Sequence, residues 1–183
     1  MSVKSAVAQN FEFSPSQLML STLQVLGASL FIAFCAQISI PLYFTPVPIS
    51  GTTFAVMLVG ACLGSRKGLL SVLAYLLEGA VGLPVFNGGH FGVVALLGVH
   101  GGYRLALPLQ AYLVGWCMER QSSVNSLRTA FVLMLSSVMV LGLGSIWLSH
   151  FVGLENALLL GFVPFIIGDM LKCLCITAYL KRR

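Results

Sequence analysis

The sequence has 183 residues, of which 58% are hydrophobic and 8% are charged, and its mean hydropathy is +0.97. Such a composition excludes an ordinary soluble domain and indicates one integral membrane domain. The net charge of +5 does not indicate a nucleic-acid-binding protein, because the basic residues are scattered and form no basic helix face. We therefore expect an all-α integral membrane protein.

Hydrophobic segments predict six transmembrane helices, several of them short or broken, after an N-terminal arm of residues 1–17. We expect this arm to be cytoplasmic or interfacial. The first apolar run is expected to be kept as a helix, because it is too long for the apolar part of a signal peptide. Thr52 or Thr53 is expected to cap the second helix. The predicted domain, 18–183, contains helices over Leu18–Ile40, Ile49–Leu63, Gly68–Leu83, Tyr103–Met118 and Thr129–His150, and a last apolar region, Ala157–Leu180, that breaks near Pro164 and Gly168 and starts a new helix near Asp169.

A glycine-rich stretch, Gly79–Arg104, separates the third and fourth predicted helices. It contains eight of the 19 glycines together with Pro84, so a continuous helix is costly there. Its other residues are mostly apolar, and irregular backbone at membrane depth is tolerated only where it is buried in protein or lines a cavity. This stretch is therefore expected to form a glycine-rich outer loop and is the first candidate for a ligand site.

The distribution of basic residues predicts that both termini are cytoplasmic. With six spans, the lysines and arginines outside the apolar segments fall on one side of the membrane, apart from Arg104 at a helix start. This asymmetry is the one that the positive-inside rule describes. The residues on the predicted cytoplasmic side are Lys4, Arg66, Lys67, Arg120, Arg128 and the basic residues 181–183.

Four ionisable residues lie inside or beside apolar segments, where a charge that faces lipid is costly. Asp169 and Lys172 are three residues apart on one helix face, so they can bind a common ligand or neutralise each other. A position near a helix N-terminus is expected to keep Asp169 ionised. Arg104 can bind a carboxylate through its guanidinium group or pair with Glu78. Asn87 can offer a donor and an acceptor to a polar ring, or it can only stabilise its turn.

No pattern in the sequence predicts a catalytic or metal centre. The three histidines do not form a helical metal-binding pair, and no serine or cysteine lies in a nucleophile motif. The turn at 64–68 lacks the spacing of a phosphate-binding loop. We therefore expect a binding protein rather than an enzyme, with no metal and no cofactor, and we expect the histidines to take no part in the site.

Four motifs follow one another along residues 25–180: PLYFTPVPISGTTFAVMLVGACLGSRKG, YLLEGAVGLPVFNGG, GGYR and PFIIGDMLK. In this order and spacing they resemble the BioY family, the biotin-binding S components of energy-coupling factor (ECF) transporters. The resemblance implies a six-helix membrane protein that captures biotin from the outside. It also implies partners, namely a transmembrane T component and two ABC-type ATPases.

Carried over position by position, the resemblance implies four polar ligands of biotin and two aromatic contacts. The carboxylate of biotin is an anion, and its ureido ring has two N–H donors and a carbonyl acceptor, so basic groups, an acid and an amide match it chemically. Our hypothesis places Asp169, Asn87 and Lys172 around the ureido ring, Arg104 near the carboxylate, and Tyr43 and Phe86 beside the thioether ring and chain.

The chain departs from the family pattern in several places. Glu78, Thr52 and Ile167 stand where an apolar residue, a glutamine and a proline, respectively, are frequent. The family motif for docking on the T component, two alanines four residues apart in the first helix, corresponds here to Ser29 and Ala33. These small residues are expected either to dock on a partner helix or to pack internally.

The function expected from this resemblance is capture of biotin and its delivery inward by an ATP-driven ECF energising module, since this chain has no nucleotide site. The alternative is a stand-alone secondary transporter of a small carboxylate vitamin in which Asp169 or Glu78 exchanges a proton. Membrane lipid is expected around the chain in both cases, and no nucleic acid is expected as a partner.

Overall fold

The computed structural model describes residues 15–43, 45–121 and 125–182, and these residues are mostly helical. Most of the predicted N-terminal arm, 1–14, lies outside the described residues, and 15–17 already belong to the first helix. Between α1 and α2 lie two short strands, β1 (Ser39–Ile40) and β2 (Ile49–Ser50), which pair in antiparallel. The helices are α1 (Pro15–Gln37), α2 (Thr52–Val81), α3 (Gly92–Leu97), α4 (Gly101–Glu119), α5 (Ser126–Val152), α6 (Leu154–Gly161) and α7 (Val163–Arg182).

The helix α2 is a hairpin of two limbs, 52–63 and 65–81. Gly64 has φ 83° and ψ 179°, which is not helical and which residues with a Cβ rarely adopt. A Cβ built on Gly68 would lie 3.0 Å from the Cα of Gly60, whereas residues eight apart in a straight helix are separated by about 12 Å. The chain therefore turns back at Gly64, and the two predicted helices with a tight basic turn between them are confirmed.

The carboxylate of Glu119, at the end of α4, holds this turn. It accepts hydrogen bonds from the backbone N–H and the hydroxyl of Ser65, each at 2.8 Å. Ser65 begins the second limb, where backbone N–H groups have no partner within the helix and a negative charge is favourable. A side chain from a different helix thus caps the second limb of α2 and connects the turn to α4.

The number of membrane-crossing segments is close to the prediction. Among the described residues, four stretches are long and apolar enough to cross a membrane. Counting the limbs of α2 separately and adding α4 gives six helical segments, of which the first limb of α2 is shorter than a full span, and the all-α integral membrane fold is confirmed. The four stretches are Ser16–Gln37, Thr52–Val81, Ser126–Val152 and Leu154–Arg182.

The last apolar region breaks earlier than the sequence suggests. The break lies at Phe162, between α6 and α7, and the new helix starts at Val163 rather than near Asp169. Pro164 can occupy the first turn of a helix, where its missing N–H costs nothing, and Gly168 is accommodated inside α7. Asp169 consequently lies outside the first turn of α7, so the prediction that a helix N-terminus stabilises its charge is wrong.

The glycine-rich stretch is irregular, as predicted. The helix α2 ends at Val81 and is capped by Gly82, which has φ 116°, and a 3-10 turn over Asn87–Gly89 and the short helix α3 precede α4. Side-chain bonds hold the stretch in place. Gln37 donates to the carbonyl oxygens of Pro84 and Phe86, both at 3.3 Å, and Trp147 donates to Gly98 at 3.0 Å.

The described chain has two chemically different ends. At one end, here called the basic end, the turn of α2 meets the end of α4 and the start of α5, and this end carries Arg66, Lys67, Arg120 and Arg128. At the opposite end, here called the cavity end, the glycine-rich stretch, the loop 41–48 and α6 lie together. Thr45 donates to Leu160 at 2.6 Å and Tyr103 donates to Gly161 at 2.8 Å, which joins these parts.

Candidate functional site

A cavity of about 460 Å³ opens at the cavity end, between α2, α4, α5, α7 and the loop 41–48. Its volume lies within the range of about 300–1,000 Å³ that is usual for small-molecule sites. The walls are mainly apolar, with a few polar groups that converge on the interior. All four predicted polar ligands are among the residues that line it: Asn87, Arg104, Asp169 and Lys172.

Asp169 and Lys172 form an ion pair, with 2.9 Å between Oδ1 and Nζ. The hydroxyl of Ser137 in α5 donates to the other carboxylate oxygen of Asp169, and Lys172 also donates to Thr53 at 2.8 Å. An ammonium group has three donors, and each carboxylate oxygen can accept more than one hydrogen bond. The pair is therefore neutralised and held in place by α2 and α5, with one donor of Lys172 still available to a ligand.

Arg104 is a buried cation, with 7% of its surface exposed. Its Nη1 donates to the carbonyl oxygen of Ala95 in α3, and its guanidinium carbon lies 4.6 Å from the centre of the Phe86 ring. Among residues 15–43, 45–121 and 125–182, Asp169–Lys172 is the one ion pair, so Arg104 has no carboxylate partner there. A buried guanidinium that lines a cavity and has no carboxylate partner among the described residues is suited to bind an anion.

Phe86 supports Arg104 rather than lining the cavity. Its side chain is fully buried, and its ring meets Tyr75 edge to face with 5.5 Å between centroids. The ring occupies space that only glycine leaves, because a Cβ on Gly79 would lie 2.1 Å from Phe86. Phe86 therefore lies behind Arg104, where the ring face stabilises the cation, and its contact with the ligand stays a prediction.

Tyr43 is fully exposed and does not line the cavity. Its role beside the ligand ring stays a prediction. The adjacent loop residues Pro46 and Val47 do line the cavity, so the loop itself is placed as expected.

Glu78 does not pair with Arg104. Its Oε1 accepts a hydrogen bond from Ser29 at 2.7 Å, and its Oε2 is buried without a hydrogen-bond partner among the described residues. Ser29 is completely buried and Ala33 is 8% exposed, both in the contact between α1 and the second limb of α2. The internal-packing interpretation thus describes this structure, and neither small residue is available to a partner in this conformation. Docking through them stays a prediction.

Two of the histidines line the cavity, which corrects the expectation that they take no part in the site. His100 donates through Nε2 to the carbonyl oxygen of Pro46 at 2.7 Å, because a carbonyl can only accept. This bond connects the start of α4 to the loop 41–48. His90 lies in the glycine-rich stretch beside the same cavity. Within the described parts of the chain, no group of three His, Cys, Asp or Glu side chains could hold a metal ion.

Hydroxyl groups complete the site, and the sequence did not indicate them. Thr52 and Thr53 do not cap α2, since the N-cap is Gly51 and makes no side-chain cap bond. Instead Thr53 binds Lys172, and Thr52 donates to the Oδ1 of Asn87 at 3.2 Å. The fully buried Tyr75 also borders the cavity, and its hydroxyl makes no hydrogen bond within normal limits to any described residue. Serines and threonines are common in membrane helices, so only the observed distances distinguish these residues.

Known proteins resemble this chain over most of its length. It is 37% identical to the probable biotin transporter BioY of Pyrococcus horikoshii over 147 residues, which cover 79% of this chain and 85% of that protein. It is 33% identical to the biotin transporter BioY2 of Lactococcus lactis, with 86% of each chain covered. It is 36% identical to the biotin transporter BioY of Thermotoga maritima, with 81% and 88% covered.

The fold is also similar to a solved structure. The crystal structure at 2.1 Å of the S-component for biotin from an ECF-type ABC transporter superposes with a TM-score of 0.82 and 30% sequence identity, covering 92% of this chain and 93% of that one. The profile of the BioY family matches residues 7–183. Its members are transporter components, which confirms the prediction that the chain is not an enzyme. The chain belongs to the BioY family, as its four motifs predicted.

Proposed function

We propose that this chain is the biotin-binding S component of an ECF transporter. It captures biotin at the cavity end and works with a T component and two ABC-type ATPases, which supply the energy for delivery to the other side. The observation that carries the proposal is Arg104, a buried guanidinium without a carboxylate partner among the described residues, which borders the same cavity as the neutral Asp169–Lys172 pair. The cavity thus offers an anion site and a separate neutral polar site.

This division matches the two polar ends of biotin. The carboxylate of its chain suits Arg104, since hydrogen bonds between charged groups are worth about 1.5–3 kcal/mol. The uncharged ureido ring suits Asp169, Lys172 and Asn87, whose charges largely cancel. The mostly apolar wall between them suits the thioether ring and the hydrocarbon chain. The names of the relatives, which are biotin transporters, point to the same ligand.

Calorimetric titration of the purified protein with biotin, desthiobiotin, thiamine and riboflavin tests the proposal. We expect biotin to bind most tightly and desthiobiotin, which keeps both polar ends, to bind next. Tighter binding of thiamine or riboflavin, or no binding of biotin, would refute the assignment.

A second titration tests Arg104 separately. We expect Arg104→Gln to weaken biotin at least tenfold and to affect biotinamide, which lacks the carboxylate, much less. Arg120→Gln is the matched control, because the guanidinium of Arg120 also lies over an aromatic ring, 3.6 Å from the centre of Trp116, but it is exposed at the basic end. If Arg104→Gln weakened biotin and biotinamide by the same factor, Arg104 would not be the group that binds the carboxylate.

The proposed orientation places the basic end and both termini in the cytoplasm. The basic residues of the turn of α2 and of the α4–α5 connection share one end with Lys181 and Arg182, which supports this orientation. Labelling of single cysteines introduced at Arg66 and Tyr43 with an impermeant reagent in intact cells checks it. We expect the label at residue 43 alone.

Dependence of uptake on the energising module distinguishes the proposed function from the alternative, a stand-alone secondary transporter. Vesicles that contain this chain alone are expected to bind biotin without accumulating it, and accumulation is expected to need the T component and ATP hydrolysis. The structure offers little for proton exchange, since Asp169 is held by Lys172 and Ser137 and Glu78 does not line the cavity. Uptake by the chain alone that a protonophore abolishes would establish the alternative.

A further inference from the structure

A chain of hydrogen bonds at the cavity wall joins Ser50, Thr52 and Asn87. The hydroxyls of Ser50 and Thr52 are 2.6 Å apart, and the Thr52 hydroxyl lies 3.2 Å from the Oδ1 of Asn87. The backbone N–H of Thr52 also donates to the Ser50 hydroxyl oxygen at 3.0 Å. All three residues line the cavity, and Thr52 itself is only 5% exposed.

The chain has a preferred direction. Each hydroxyl has one hydrogen to donate. When Ser50 donates to Thr52 and Thr52 donates to Asn87, both hydroxyl hydrogens have acceptors and the Ser50 oxygen accepts the backbone N–H. In the opposite direction the amide of Asn87 donates to Thr52 and Thr52 donates to Ser50, which leaves the Ser50 hydrogen without an acceptor in the chain. Because the second direction makes one hydrogen bond fewer at the half-buried Ser50, the first direction is favoured.

This direction determines which half of the Asn87 amide is available to a ligand. The Oδ1 atom already accepts from Thr52 and keeps one lone pair, whereas the Nδ2 atom keeps both of its hydrogens for a ligand. Asp169 offers hydrogen-bond acceptors to the same cavity, because a carboxylate only accepts hydrogen bonds. The wall therefore combines a donor at Asn87 with an acceptor at Asp169.

We infer that Thr52 is a positioning residue that fixes the Asn87 amide as a hydrogen-bond donor and so selects ligands whose polar ring presents a carbonyl oxygen to it. The inference rests on the proposed function, since it assigns the ring carbonyl of biotin to Asn87 and leaves the ring N–H groups to acceptors such as Asp169. A ligand that presents an N–H group in place of the carbonyl meets the Asn87 hydrogens and is rejected.

Biotin and 2-iminobiotin provide the test, because the ring of 2-iminobiotin is a guanidinium near neutral pH and presents only N–H donors where biotin has its carbonyl oxygen. We expect the wild-type chain to prefer biotin, and Thr52→Val, which keeps the shape but removes the hydroxyl, to reduce this preference about tenfold. Thr52→Ser should restore it. A merely structural role of Thr52 would weaken both ligands alike. The readout is therefore the ratio of the two dissociation constants, measured by calorimetry in one buffer.

Thr53→Val is the matched control, since it removes the neighbouring hydroxyl, which contacts Lys172 instead of Asn87. It is expected to weaken both ligands by similar factors and to leave their ratio unchanged. Asn87→Asp gives a second test that does not depend on the folding of Thr52→Val. This variant has only acceptor oxygens, so we expect its preference to shift toward 2-iminobiotin.

An unchanged ratio in a folded Thr52→Val variant, or biotin preference kept in Asn87→Asp, would overturn the inference while biotin binding by the wild type still supports the proposed function. Failure of the wild type to bind biotin would overturn the proposed function and this inference together.

Discussion

The Asp169–Lys172 pair allows a quantitative test of how the site is built. Asp169→Asn keeps the size of the side chain and one acceptor oxygen but removes the negative charge, so that Lys172, whose side chain is 18% exposed, keeps neutral acceptors such as Thr53 and loses its countercharge. At the observed 2.9 Å and an effective dielectric constant of about 20, the attraction lost is about 6 kcal/mol. Desolvation of both groups offsets part of it. Breaking such a pair is expected to cost about 3–5 kcal/mol of folding free energy.

Removal of both charges is expected to be less harmful. Lys172→Met removes the cation and fills a similar volume, and on its own it leaves Asp169 with Ser137 as its hydrogen-bond donor. The double variant contains no unpaired charge, so its loss should be smaller than the sum of the two single losses by about 2 kcal/mol or more.

Thermal unfolding of the four purified proteins without ligand gives the order of stability, and calorimetry with biotin gives the order of affinity. We expect the double variant to unfold above at least one single variant, and we expect all three variants to bind biotin more weakly than wild type by over about 1 kcal/mol. Additive losses of stability would contradict the coupling. Biotin affinity equal to wild type in both single variants would restrict the pair to a structural role.

Three further substitutions test packing and protonation. Gly79→Ala places a Cβ where the Phe86 ring lies, so we expect a loss of about 1–3 kcal/mol in stability together with weaker biotin binding, and unchanged unfolding would contradict the packing. Gln110 is fully buried and its amide atoms have no partner among the described residues, so Gln110→Met should leave stability unchanged or raise it, and a marked loss in thermal unfolding would reveal a polar partner. Burial lowers the pKa of His100 from its ordinary 6.5, although the hydrogen bond to Pro46 acts in the opposite direction. The folded chain then binds fewer protons at this site than the unfolded chain, so stability is complete above about pH 6.5 and falls as the pH decreases below it. Unfolding at several pH values should show this slope, and His100→Gln should flatten it.

The sequence predicted the parts of the site whose residues are costly in a membrane. Asp169, Lys172 and Arg104 stand out because a charge in an apolar helix is costly and is usually kept for a function. Asn87 stands out because it lies in a turn rich in glycine. The structure brings all four to one cavity. The helical hairpin was also predictable, since apolar runs on both sides of a basic turn leave few alternatives.

The other parts depend on distances that no local pattern encodes. The hydroxyls of Thr52 and Thr53 are chemically ordinary, and their roles follow only from which limb of α2 faces α7 and the glycine-rich stretch. Phe86 lies behind Arg104 because Gly79, on the preceding helix, leaves room for its ring. Tyr43 points away from the cavity, although its neighbours in the loop line it. The break in the last apolar region lies at Phe162, before Pro164 and Gly168, which were the residues that predicted a break.

The shortness of the first limb of α2 determines how deep a ligand lies. From Gly64 at the basic end, the 12 residues 52–63 rise only about 18 Å, whereas the hydrocarbon layer is about 30 Å thick. If the turn marks one boundary of that layer, Thr52 and Thr53 lie roughly 10 Å below the other boundary, at the level of the lipid acyl chains. A molecule bound beside Thr52 and Thr53 would then lie about a third of the way across the layer, and the packed interior between α2, α4 and α7 would separate it from the other side.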